Sequence, residues 1–432
     1  MSATLNENIK FAGDYKLIDV KIGSTRGLIF DVYNFVIDIN IYEDMHSPTI
    51  SGNITLNDAQ DLVNLMPFIG EEKLLITFKS AGMTDDAGLF EQAFYIYKMS
   101  DRTYTAERAV QYTLHFVSFE SIRDLNSKIS KGFAGNIDEI VGKFLRNELK
   151  TDKPVNIEKT KNTIIYTSNY WSPFTNINYL AKRSISLTND AGNFVFFENN
   201  SGFNFRSIDS MMASDPKAQY IYDNASRNAS GDGGSSTRSI AADLSRITSY
   251  SIDTGFDYFK RIESGMYKSR LITHEIVTKT YNVQTLSYED EFKKHNHLNP
   301  YPLSTKGLPA KSFGFMDVQP RALETYTNFK SDGMKNWHLK GIMHMAELNA
   351  FTMDITVPGR SDLTVGNVID IFIYRSTPYK SKDTEEQLLD KTYSGRYLIV
   401  SLCHELNREK HNIHMTVVKD SLIIDLTKEG SE

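Results

Sequence analysis

Residues 351 to 373 read FTMDITVPGRSDLTVGNVIDIFI. They spell a strand-like run, a Pro-Gly turn, a Val-Gly-Asn turn and a second strand-like run. Far upstream, residues 50 to 78 read ISGNITLNDAQDLVNLMPFIGEEKLLITF, a looser version of the same pattern. Laid together, Ile54 and Leu56 fall on Ile355 and Val357, Ile69-Gly70 on Val365-Gly366, and LLITF on IDIFI. Downstream, AFYIYKMS (93–100) meets RYLIVSLC (396–403), and HFVSFESI (115–122) meets MTVVKDSL (415–422), including Glu120-Ser121-Ile122 against Asp420-Ser421-Leu422. One matched segment is what any two antiparallel β regions share. Three in order, at similar spacing, predict a duplicated β-barrel unit, and three copies of such a chain can build a ring of six similar units.

The strand pattern extends beyond the repeat. In LIFDVYNFVIDINIY (28–42), Val36, Ile37, Ile39 and Ile41 stand beside Asp38 and Asn40, as in a half-buried strand. Short runs at Leu74–Phe78, Phe94–Met99 and Tyr112–Phe119 continue an antiparallel series. After Ser121 the period changes to three and four, with Ile137, Ile140, Val141, Phe144, Leu145 and Leu149 marking a helix that opens on Asn136 as N-cap, with Asp138 and Glu139 in its first turn. A further helix is predicted after Pro173, followed by a hairpin through Asn-Asn-Ser-Gly.

These patterns divide the chain into a first tube-like barrel (1–120), a mixed α/β peripheral domain (121–225), a flexible Gly/Ser/Asn loop (226–243), a second barrel (244–280 plus 335–432) and an irregular insertion (281–334). The expected class is mainly β with α+β parts. A length of 432 residues fits roughly two to four domains. With 40% hydrophobic and 24% charged residues the chain is globular rather than disordered, and its 25 Phe and 23 Tyr lean toward strands.

Net charge of −6 without a Lys/Arg-rich stripe removes the electrostatic footprint of a nucleic-acid binder. The single Cys403 excludes an internal disulfide framework, suits a reducing cytoplasm, and is expected to be a small buried hydrophobe. No signal-peptide pattern opens the chain and no apolar run approaches membrane-spanning length, so neither export nor membrane insertion is expected. The Asn-x-Ser/Thr triplets at Asn53, Asn199, Asn224 and Asn228 therefore carry little weight as glycosylation sites.

Three blocks of sequence, in order along nearly the whole chain, resemble the baseplate hub proteins of T-even-like contractile-tailed phages, which are related to the hub part of type VI secretion valine-glycine-repeat spike proteins. They are IYEDMHSPTISGNITLNDAQDLVNLMPFIGEEKL (41–74), YWSPFTNINYLAKRS (170–184) with FVFFENNSGFNFRSI (194–208), and ITVPGRSDLTVGNVIDI (355–371) with YSGRYLIVSLCHEL (393–406). The resemblance implies a homotrimer whose two tail-tube-like barrels per chain form a pseudo-sixfold ring in the virion. That ring would adapt the hexameric tail tube to a trimeric membrane-piercing spike. Implied partners are tail-tube or adaptor rings, other baseplate (wedge) proteins and the tape measure protein, with DNA passing through without sequence-specific contact. Because no spike-like segment follows before Glu432, the spike is expected to be a separate polypeptide. A mildly acidic lumen would let DNA slide.

Chemistry is expected to be absent: no catalytic, cofactor-binding or metal residue is assigned. His295-Asn296-His297 is a tripeptide, not the separated residues of the nuclease family whose name it spells. His411 and His414 would face opposite sides of a strand, which argues against a shared metal with His404. Glu289, Asp290 and Glu291 in YEDEF read as a solvated turn, and nothing singles out the carboxylate pair of a glycosidase. Phosphate-loop, nucleophile-elbow, HExxH and CxxC patterns are missing. Met334, Met343, Met345 and Met353 read as core filling, and Gly52, Gly70, Gly359 and Gly366 as hairpin punctuation. A tail-associated cell-wall hydrolase and a β-rich receptor- or glycan-binding tail protein remain the alternatives.

Overall fold

The computed structural model describes residues 11–80, 88–106, 109–222, 243–275, 279–303, 311–316, 337–348, 350–375 and 388–426. Most of the 226–243 loop, Asn224, Asn228 and Met334 lie outside them. The first third is built of β1 (Tyr15–Gly23), β2 (Ile29–Asp31), β3 (Val36–Asp44), β4 (Ser51–Asp58), β5 (Lys73–Ser80), β6 (Leu89–Ala106) and β7 (Ala109–Val117). A short 3₁₀ turn at Tyr33–Phe35 splits the run expected to be one strand at 28–42. Alternation does the work here: β4 buries every second residue, so Ile54 and Leu56 meet Tyr112, Leu114 and Phe116 of β7 in one core.

The middle region mixes helices Phe119–Asn126, Ile137–Lys143 and Pro173–Ala181 with β8 (Gly132–Asn136), β9 (Val155–Ile157), β10 (Thr163–Thr167), β11 (Phe194–Asn199) and β12 (Gly202–Ser207). Asn136 takes the N-cap position, but its side chain makes no cap bond; Thr160 Oγ1 accepts from the Asp138 N–H at 3.1 Å instead. Ser172 caps the Pro173–Ala181 helix by accepting from the Thr175 N–H, with Pro173 in the first turn, where its missing donor costs nothing. Phe194, Phe196, Phe203 and Phe205 of the β11–β12 hairpin pack with Phe144, Phe174 and Leu180.

The remainder holds β13 (Ala218–Tyr222), β14 (Ser249–Thr254), β15 (Lys268–Glu275), β16 (Thr280–Ser287), β17 (Lys311–Met316), β18 (Phe351–Pro358), β19 (Val368–Ile373), β20 (Gly395–Asn407) and β21 (His411–Lys419). The stretch expected to be irregular contains ordered structure. β16 and β17 flank β15 in a separate three-stranded sheet, and a short helix spans Tyr288–Phe292. The helix before β18 runs from His338 to Leu348. Met343 and Met353 are buried.

The large sheet departs from the expectation of two closed barrels. Among the described residues thirteen strands form one open sheet, along the order β14-β18-β21-β20-β3-β4-β7-β6-β5-β1-β2, with β19 beside β20 and β13 parallel to β19. The cause is the length of β20. Its first residues, Gly395–Leu398, pair with β19, whereas Ser401–Asn407 pair with β3 in the other half.

Within this sheet the repeat is visible in the hydrogen-bonding order. β4-β7-β6-β5 recurs as β18-β21-β20-β19. Leu74 opposite Phe94 corresponds to Ile369 opposite Tyr397, and Ile96 opposite Phe116 to Ile399 opposite Val417. Both copies carry a bulge at the same place, skipping Tyr97 in one and Val400 in the other. The sequence match of the last strand is one residue out of step, because Leu114 and Met415 hold equivalent places while HFVS against MTVV pairs His115 with Met415. A single-residue slip would turn the apolar face outward, so burial decides the register. Gly70 and Gly366, matched in sequence, both adopt left-handed backbone, with φ of 93° and 87°.

Gly359 is different: a Cβ there would stand 2.0 Å from Cγ of the buried His411. Gly359→Ala should therefore lower stability by about 1–3 kcal/mol. Urea unfolding measures this, with Gly132→Ala on an exposed strand as the control that should leave the midpoint in place.

Candidate functional site

The residues that hold the two halves together form a seam along β3 and β20. Seven residue pairs run from Ser401 opposite Asp44 to Asn407 opposite Asp38. Leu406 crosses this seam into the core of the first half, beside Ile39, Ile54 and Leu56. Backbone bonds from Met45 N to Val400 O (2.9 Å) and from His411 N to Gly13 O (2.9 Å) extend it at both ends. Ser80 and Ser361 exchange bonds between backbone N–H and hydroxyl at 3.0 and 2.9 Å.

His404 and His411 are fully buried in the seam, 3.0 Å apart and edge-on to Phe78. Burial holds both imidazoles well below the usual histidine range, His404 down to about 3. His414 points the other way and meets Glu405 at 2.8 Å on the exposed side. Cys403 is half-buried, and burial pushes its thiol up to about 12, which makes it a poor nucleophile.

Two carboxylates tie the middle region to this seam. Glu43 of β3 is buried and accepts from the Asn200 N–H and the Val365 N–H, both at 3.0 Å. One side chain thus joins the first half, the middle hairpin and the second half. Burial pushes its carboxyl up to about 8; the two N–H donors pull it down, and nearby Glu198 adds to the rise. Glu198 accepts from the Ile50 N–H at 3.0 Å and pairs with Lys153, which also reaches Glu120 at 3.3 Å. The sequence did carry a signal for Glu43: it continues the inward phase of Ile39 and Ile41. Local pattern alone does not single that acid out, because the N–H donors it meets lie on remote loops.

The seam also shows what the rest of the sheet lacks. In the second half β14 stands where β3 stands in the first, with Tyr250 opposite Ile355 as Ile39 is opposite Ile54. The end of β6 matches the end of β20: Thr103 faces Gln111 as Glu405 faces Asn412. Among the described residues β14 pairs only with β18, and the 98–106 end of β6 only with β7. Leu406 is fully buried, yet its counterpart Tyr104 is 78% exposed. These are two open, complementary edges.

No family model matches the sequence, and no curated protein matches it. Solved structures do. A tail protein from Neisseria meningitidis MC58 superposes with a TM-score of 0.54 at 10% identity, covering 94% of this chain and 97% of that one. The 43 kDa tail protein of prophage MuSo2 from Shewanella oneidensis gives a TM-score of 0.51 at 10% identity, covering 94% and 100%. The chain has the fold of phage tail proteins. The E. coli c3393 protein, a component of the type VI secretion system, matches with a TM-score of 0.41 at 9% identity over 94% of this chain and 77% of its own.

Within this tail-protein fold the carboxylates of YEDEF separate. Glu289 and Asp290 are exposed, whereas Glu291 is buried in the short helix and meets Lys294 at 2.6 Å and His295 at 3.4 Å, so the run is not a solvated turn. A cleft of about 1070 Å³ is lined by Glu289, Asp370 and Arg396 among others, and partial burial raises the Asp370 carboxyl while Arg396 lowers it.

Glu43 gives the seam a pH dependence. Its folded value, near 8, lies above its value in the unfolded chain, so stability is full below about pH 4.5 and falls as pH rises toward 8. The slope approaches about 1.4 kcal/mol per pH unit at most. Glu43→Gln, which cannot ionise, should flatten this part of the profile. Urea midpoints at pH 5 and pH 8 measure it; equal slopes in both proteins would refute the assignment.

Proposed function

We propose that the chain is the structural hub of a contractile phage baseplate, non-enzymatic and homotrimeric. The observation that carries this reading is the repeated four-strand unit, joined internally through β3 and β20 and left with the two matching edges open. A contact between unlike surfaces of identical chains propagates head to tail, and it closes into a ring when the rotation fits. Three chains of two units each would give a pseudo-sixfold ring around a channel. On this reading one face meets the hexameric tail tube or an adaptor ring and the other a separate trimeric spike. Other baseplate proteins would bind the periphery, the tape measure would occupy the lumen, and DNA would pass without sequence-specific contact. The two barrels expected from the sequence would then close only across chains. The fold shared with tail proteins from Neisseria and Shewanella supports the setting.

The seam fixes the register expected between chains. Leu406 opposite Ile39 becomes Tyr104 opposite Tyr250, and Glu405 opposite Asn40 becomes Thr103 opposite Ser251. Opposed residues of antiparallel strands stand about 4.5–5.5 Å apart at Cα, within disulfide reach.

The doubly substituted Thr103→Cys/Ser251→Cys chain should therefore cross-link under oxidation into dimers and trimers, and neither single variant should do so. Light scattering should give three times the 49.2 kDa chain mass, alone or with a co-produced spike protein. A strictly monomeric chain that never joins a spike and never cross-links would overturn the proposal. Zymography on the purified protein should show no clearing of cell wall. Clearing abolished by Glu289→Gln or Asp370→Asn would replace this reading with the hydrolase.

A further inference from the structure

Away from the seam, three elements converge on a small buried polar cluster. His297 follows the Tyr288–Phe292 helix, Glu347 lies near the end of the His338–Leu348 helix, and Asp420 directly follows β21. Nδ1 of His297 stands 2.6 Å from Asp420 Oδ2 and 3.4 Å from Glu347 Oε1. On its far side the ring's Nε2 lies 2.8 Å from the Phe292 carbonyl oxygen, a contact that only an N–H can make. In the neutral imidazole this places the proton on Nε2 and turns the Nδ1 lone pair toward two carboxylates.

Three lone-pair donors thus face one another, all within 4.8 Å. Such an arrangement repels itself unless a proton or a metal cation lies between them. Glu347 Oε1 is fully enclosed and has no hydrogen-bond partner among the described residues. Beside the three side chains lies a cavity of about 10 Å³, which also touches His295, His344 and Asp209.

We propose that His297, Glu347 and Asp420 form a structural site for one divalent transition-metal ion, with Zn²⁺ the best chemical match. One imidazole nitrogen with two carboxylates suits Zn²⁺ or Mn²⁺ better than the oxygen-only sets of Mg²⁺ and Ca²⁺. Tetrahedral bonds of roughly 2.0–2.2 Å put neighbouring ligand atoms about 3.4 Å apart. The His297–Glu347 separation already has this value, and the His297–Asp420 pair opens by less than an ångström to reach it. The surrounding bonds are those that orient ligands: the Phe292 carbonyl fixes the His297 tautomer, and Asp420 Oδ1 accepts from the Leu298 N–H (3.2 Å) and the Ser421 hydroxyl (2.6 Å). The ion fastens the 288–303 segment and the 338–348 helix to the end of the second repeat.

The test uses the full chain, stripped with a chelator and dialysed against Zn²⁺, Mn²⁺ or Co²⁺ separately, with bound metal quantified by mass spectrometry. One equivalent of Zn²⁺ per chain, a higher melting temperature on reloading and tetrahedral absorption bands with Co²⁺ are expected. Glu347→Gln should weaken uptake by at least about tenfold. The wild-type Co²⁺ spectrum decides the matter even where a variant fails to fold. Far less than one equivalent of every ion, with unchanged melting, would overturn the proposal and leave a proton bridging the cluster. Undiminished uptake by a folded Glu347→Gln would overturn it too, placing the metal elsewhere.

Discussion

Everything in this chain hangs on one strand that is longer than either sheet portion it serves. β20 begins beside β19 and ends beside β3, so the backbone ladder of the second repeat runs without interruption into the first. Because the ladder is continuous, the two repeats cannot rock independently; their relative angle is fixed by strand twist and by the bulge at Val400. Leu406 adds side-chain burial to this, supplying the first core from the second half.

Buried polar groups then decide where the middle region sits. An enclosed carboxylate is costly in free energy, and Glu43 is tolerated because burial keeps it protonated up to about pH 8 and because two backbone N–H groups from different regions converge on it. Such a group contributes less to net stability than to uniqueness: any other docking of the hairpin strands the acid without donors. Glu198, held by Lys153 and the Ile50 N–H, repeats the device on the other side of the hairpin. The pair therefore reads as an alignment element.

Much of this was legible in the sequence, and the failures share a cause. The four strands of the repeat, their order and the matched Gly70 and Gly366 follow from local patterns of apolar residues and turns. The one-residue error in the last strand arose because Glu120-Ser121 and Asp420-Ser421 match without a gap, whereas the strands before them are aligned by which residues face the core. Local periodicity could not reveal that β20 serves two partners, nor that β15, β16 and β17 form a sheet of their own with a parallel pair. The same limit hid Glu43, the burial of His404 and His411, and the meeting of His297, Glu347 and Asp420, residues far apart in sequence that only tertiary packing unites.

The open edges follow from the same geometry. A repeated unit that joins its twin through two unlike edges leaves one edge of each kind open in the pair, here β14 and the end of β6 among the described residues. Natural sheets usually blunt exposed edges with charge, proline or short strands. The end of β6 presents exposed Tyr104 beside the charged Asp101 and Arg102, and β14 turns partly buried Tyr250 and Ile252 to the core, its outer backbone unpaired among the described residues. The two-residue bulge in β6 at Asp101 and Arg102, where β20 has only His404, departs from the internal template, as does the further shift between Tyr104 and Ala106. It changes the local twist at the place where a second chain would dock, which allows the contact between chains to differ in angle from the seam within one. A ring of the proposed kind would be sixfold in its ladders and threefold in its angles.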